Sequence, residues 1–103
     1  MHQIVIGFDV DGTLMSTHGI VNQDMVALMR LLKTTLQNVR IIVWSGGGKD
    51  YAQRIADLPI LSGLVDAVYS KLDCPEKVDI AFDDIPDFNL ASSNLILKNE
   101  YDR

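Results

Sequence analysis

Two runs of the chain, Ile4 to Phe8 and Val39 to Trp44, are apolar at nearly every position and rich in β-branched side chains. A run of that kind has no polar face to leave in water, so it belongs in a strand covered on both sides, as in a parallel sheet flanked by helices. Each run also ends abruptly in polar residues. "QIVIGFD" passes into "VDGTL", and "VRIIVW" passes into Ser45 and three glycines.

The segments between these runs supply the helices. Starting at Asn22 or Gln23, a helix through about Gln37 would place Val26, Leu28, Met29, Leu32 and Leu36 on one face. Met25 and Met29 read as core fillers there. A second helix fits Lys49 to Leu58 and must stop before Pro59. Three further strands fit Val65 to Tyr69, Val78 to Phe82 and Asn94 to Lys98. Strands alternating with helical segments predict an α/β fold: a single Rossmann-like, three-layer domain over residues 1–103, with about five parallel strands flanked by helices and joined by right-handed crossovers. A chain of 103 residues suits one core of that size.

In such sheets ligands bind beyond the carboxyl ends of the strands, where the strand order reverses. Four polar clusters, Asp9/Asp11, Ser45/Gly46, Lys71 and Asp83/Asp84, each follow one of the first four predicted strands. They are expected to converge. Because side chains alternate along an extended chain, Asp9 and Asp11 can face one way while Val10 faces the other, with Gly12 free to turn sharply. Carboxylates held close repel each other, and a shared proton or a bound cation relieves the repulsion. Mg²⁺ suits them, since it takes oxygen ligands and commonly combines one or two carboxylates with substrate phosphate oxygens. In isolation, Asp-x-Asp-Gly also reads as an ordinary acidic turn.

Composition excludes other classes. A formal charge of −5 and a pI of about 4.7 disfavour a nucleic-acid partner. Cys74, the single cysteine, rules out an internal disulfide and fits a reducing, cytoplasmic setting as a structural thiol. The N-terminus "MHQIVIGFDV" lacks a basic leader and carries an aspartate, so neither a signal peptide nor a membrane span is expected.

Taken in order, the four clusters resemble the haloacid dehalogenase superfamily, whose members are mostly Mg²⁺-dependent phosphatases and phosphotransferases. "FDVDGTL", residues 8–14, is similar to that superfamily's first motif residue for residue. "VWSGGG" resembles the second, an apolar strand ending in Ser or Thr, and "FDD" the acidic fourth. The resemblance implies that Asp9 is a nucleophile forming an aspartyl-phosphate and that Asp11 is the general acid and base. It implies Mg²⁺ held by the Asp9 side chain, the Asp11 backbone carbonyl and either Asp83 or Asp84. Ser45 and the Gly46 N–H would bind phosphate together with a lysine. Lys71, directly after the third predicted strand, suits that role better than Lys77, which precedes the fourth.

Larger members carry a cap domain, for which neither the segment before the first helix nor the stretch between Ser45 and Lys71 has room. The expected substrate is therefore a bulky phosphoester such as a phosphorylated sugar, or the site is completed by a second copy in a homo-oligomer. The alternative is a regulatory or binding domain that keeps the metal site without turnover. A receiver domain would need its acceptor aspartate after the third strand, where Tyr69-Ser70-Lys71 stands instead. Asp87 reads as a turn acid, His18 as an exposed flap residue and Trp44 as a packed sheet residue.

Overall fold

A computed structural model describes residues 3–16, 18–85 and 90–97. Five parallel strands form one sheet in the order β3-β2-β1-β4-β5. They are β1 (Ile4–Asp9), β2 (Val39–Ser45), β3 (Ala67–Ser70), β4 (Val78–Asp83) and β5 (Ala91–Ile96). Helix α1 (Gln23–Thr35) joins β1 to β2, and α2 (Lys49–Ala56) joins β2 to β3. Asn22 caps α1 by accepting from the N–H groups of Asp24 and Met25. The chain is thus an α/β domain of the Rossmann-like kind, and no inserted domain interrupts β1 to α1 or β2 to β3 among the described residues.

Alternation along the buried strands sorts their side chains into two cores. Ile6, Phe8, Ile41, Val43 and Val68 pack with Val26 and Met29 of α1 and Ala52 of α2. Both helices therefore cover one face. Strand order reverses between β1 and β4, so right-handed crossovers send the later connections across the other face. There the third layer is thin: Val5, Ile42, Trp44 and Ala81 pack beside Cys74, from the short segment between β3 and β4. Trp44 is 2% exposed and lies against Gly7, where an added Cβ would come within 2.9 Å of the indole.

That thin segment is tied down by charge. Arg40 on β2 donates from Nε and an Nη to both carboxylate oxygens of Glu76 at 2.6 and 2.8 Å, and the Tyr69 hydroxyl donates to Glu76 at 2.6 Å. A bidentate pair of this geometry fixes direction as well as distance. Its consequence is positional, since the same segment begins with Lys71 in a 3₁₀ turn, Lys71–Asp73.

Element ends differ from expectation in ways that the packing explains. Helix α1 stops at Thr35, before the predicted Gln37, because Leu36 is already extended. Helix α2 ends at Ala56, and a separate 3₁₀ turn begins at Pro59. Strand β3 begins at Ala67, β4 runs one residue beyond Phe82, and β5 starts at Ala91. The predicted β5 began three residues later, at Asn94, and its last residue, Lys98, lies outside the described residues.

The carboxyl of Glu76 is held below its ordinary value of 4.5, first by its hydrogen bonds from Arg40. A depressed carboxyl stabilises the fold above its unfolded value and loses that contribution as pH falls through the folded value. Replacing Glu76 by Gln should thus cost about 1 kcal/mol near neutral pH, with the gap closing in acid below the ordinary glutamate range. Urea unfolding of both proteins at several pH values checks this; a gap independent of pH would contradict it.

Candidate functional site at the carboxyl edge of the sheet

The strands deliver their last residues to one edge. Registers Phe8↔Phe82 and Trp44↔Tyr69 place Asp9, Ser45, Ser70 and Asp83 at adjacent strand ends. Phe8 and Phe82 stack with ring centroids 4.9 Å apart and planes within 9°. This contact locks β1 against β4 one residue below the two aspartates. Asp9 and Asp83 are consequently neighbours, at the point where the strand order reverses.

Lys71 closes the group. Its ammonium lies 2.7 Å from Asp9 Oδ1 and 2.5 Å from Asp83 Oδ2, and all three side chains are less than a tenth exposed. Burial alone would lower the lysine's pKa, but the hydrogen bonds to Asp83 and Asp9 outweigh it and hold the ammonium above its ordinary value. Asp83 is further committed: its Oδ1 accepts from the N–H groups of Asp84 and Ile85 at 2.8 and 3.1 Å. Thr13, fully buried in the turn after β1, donates to Asp9 Oδ2 at 3.5 Å.

Asp84 is the third acid. One oxygen from each of Asp9, Asp83 and Asp84 lies within 4.8 Å of the others. Three carboxylates against one ammonium leave an excess of negative charge. Burial, opposed by Lys71 and reinforced by Asp83 and Asp84, pushes the Asp9 carboxyl up to about 7. Burial and Asp83 also raise Asp84. Asp84 Oδ1 is buried and has no hydrogen-bond partner. An orphaned carboxylate oxygen in an all-oxygen set with excess negative charge fits a hard divalent cation such as Mg²⁺.

Asp11 stands apart from these three. The chain leaves the strand after Asp9 and turns, with the Val10 carbonyl accepting from the Thr13 and Met15 N–H groups. Asp11 is exposed, and its Oδ1 accepts from the Tyr51 hydroxyl at 2.5 Å. Ser45 is buried, with its Oγ accepting from Gly47 N–H at 2.9 Å, while Gly46 is exposed at the loop surface. Lys77 and His18 are exposed, and Asp87 lies outside the described residues. Beside the site, an open depression of about 280 Å³ is lined by Lys49, Tyr69, Ser70, Asp73 and Pro75.

Sequence reasoning singled out neither Tyr51 nor Thr13. Thr13 sits inside the quoted first motif, so its hydroxyl was a signal in plain view. Tyr51 carries no such signal, because only the folded chain brings α2 to the turn after β1. No family model, no curated protein and no solved structure matches the chain. No helix among the described residues is long and apolar enough to cross a membrane.

Gly12 carries Asp84. Its φ of +79° suits glycine, and a Cβ there would fall 1.9 Å from Asp84 Oδ2 and 3.0 Å from Asp84 Cβ. Gly19 has a similar φ of +77° with nothing within 4 Å, so it isolates the backbone penalty. Gly19→Ala should cost about 1 kcal/mol and Gly12→Ala at least about 1 kcal/mol more, because Asp84 must be displaced. Equal losses in urea unfolding would contradict the contact.

Proposed function

We propose that this protein is a Mg²⁺-dependent phosphomonoester hydrolase in which Asp9 is the nucleophile. The observation that carries this reading is the buried ammonium of Lys71 between Asp9 and Asp83, with Asp84 alongside. Two buried carboxylates on one buried lysine, with a third acid alongside, stand at the exit of the sheet, where buried charge is costly, and this supports the reading. The likeness of residues 8–14 to the first motif of the haloacid dehalogenase superfamily supports the same reading.

Asp9 and Asp84, with Asp83, would hold Mg²⁺, joined by the backbone carbonyl of Asp11. When bound, the ion supplies the positive charge that lets a phosphate dianion approach these carboxylates. Lys71 orients the Asp9 carboxylate and offers charge to the incoming phosphoryl oxygens. The Ser45 hydroxyl and the Gly46 N–H, at the end of the neighbouring strand, donate to the same oxygens. Asp9 attacks phosphorus while Asp11 protonates the leaving oxygen, and Asp11 then takes a proton from the water that hydrolyses the aspartyl-phosphate.

The absence of an inserted domain in the described segments leaves the site open, which suits a bulky phosphoester such as a sugar phosphate, or completion by a second copy. The acidic charge disfavours nucleic acid as substrate. A single cysteine fits a cytoplasmic setting.

Phosphate release from a panel of phosphomonoesters tests the proposal. Turnover should require Mg²⁺ and should fall by at least about a thousandfold in Asp9→Asn. Turnover surviving that change would overturn the mechanism. Mg²⁺ binding without turnover of any ester would favour a regulatory or binding domain instead.

A further inference from the structure

Helix α2 begins at the carboxyl edge of the sheet, because it follows β2 directly through the glycine loop. Side chains on a helix lean toward its N-terminus, so a residue in the first turn of α2 reaches back over that edge. Tyr51 is the third residue of α2. Its hydroxyl donates to Asp11 Oδ1 at 2.5 Å, a contact between residues forty apart in the chain.

The ring itself is flanked on two sides. A Cβ on Gly47 would lie 3.4 Å from Tyr51 Cδ2, so the glycine loop runs alongside the ring with room for about one more methyl group between them. Arg54, one turn along α2, places its guanidinium carbon 5.7 Å from the ring centroid, within cation–π range. Asp11 by contrast is exposed, at the mouth of a turn that an isolated bridge to Met15 closes. Without an anchor, its carboxylate would sample several rotamers.

We infer that Tyr51 is a positioning residue for proton transfer by Asp11, an assignment that rests on the phosphatase reading. A phenol has one hydrogen, and here it is committed to Asp11 Oδ1. Oδ2 is therefore the oxygen left for proton exchange. In the first step a bond forms between an Asp9 carboxylate oxygen and phosphorus, and the ester P–O bond breaks. The departing oxygen keeps the electron pair and takes the proton from Asp11 Oδ2. In the second step a water oxygen bonds to phosphorus and the phosphorus–Asp9 bond breaks, restoring the Asp9 carboxylate. Asp11 Oδ2 takes the water proton, so the enzyme returns to its starting state. Throughout, Tyr51 keeps its own proton and fixes which oxygen of Asp11 does the exchange.

Leaving-group dependence separates this role from a structural one. An alkoxide leaving group needs a proton as it departs, whereas nitrophenolate hardly does. Hydrolysis of glycerol phosphate and of p-nitrophenyl phosphate, with Mg²⁺, is compared for the native chain, Tyr51→Phe, Asp11→Asn and the double variant. Phenylalanine keeps the ring beside Gly47 and Arg54 and removes only the hydroxyl. Tyr51→Phe should slow the alkyl ester about tenfold or more beyond its effect on the nitrophenyl ester. In the Asp11→Asn background it should add no such difference, because the two side chains act as one unit. Equal slowing of both esters, no slowing of either, or a full additive effect in the double variant would overturn the inference. Absence of Asp9-dependent turnover with p-nitrophenyl phosphate would instead overturn the phosphatase reading, and this inference with it.

Discussion

A buried ammonium between two buried carboxylates is the interaction on which the arrangement of this sheet edge depends. Lys71 could not enter this environment unpaired, and the ammonium relieves the repulsion between Asp9 and Asp83 at adjacent strand ends. The rest of the fold brings the partners there. Stacked Phe8 and Phe82 fix the register of β1 and β4, and the Arg40–Glu76 pair fixes the segment that opens with Lys71. The cluster still carries more negative than positive charge, since Asp84 adds a third acid with an unpartnered oxygen. That remaining imbalance can be relieved by a proton or by a bound cation.

Much of this edge was legible in the sequence because its logic is local. β-branched apolar runs ending in Asp9, Ser45 and Asp83 announce buried strands and where they stop, and Lys71 follows a strand for the same reason. Strand β5 was less legible. Its first residues, Ala91 to Asn94, are small or polar, and an edge strand with exposed positions needs no apolar run to mark it. Periodicity therefore pointed to "LIL" and placed the strand three residues late.

The contacts that define the site beyond its strand ends were hidden because they are tertiary. Nothing near Gly12 in sequence indicates that Asp84 lies against it, and nothing in "KDYAQ" indicates that Tyr51 meets Asp11. The strand ends at Asp9, and the turn that follows leaves Asp11 exposed while Asp9 stays buried. The contrast between the two aspartates, one buried against Lys71 and one exposed and held by Tyr51, follows from that single turn. The proposed mechanism assigns the buried one to attack and the exposed one to proton exchange.

Chemical trapping tests most directly whether Asp9 carries a phosphoryl group during turnover. The protein is mixed with Mg²⁺ and a phosphoester that it turns over, quenched in acid, and reduced with borohydride, which converts an aspartyl-phosphate to homoserine. Peptide mass spectrometry then locates the modified residue. Homoserine is expected at position 9 and at no other aspartate, in amounts that rise with substrate and vanish without the metal. Steady turnover with no modified aspartate, or modification at Asp11, Asp83 or Asp84 in place of Asp9, would contradict Asp9 as the nucleophile.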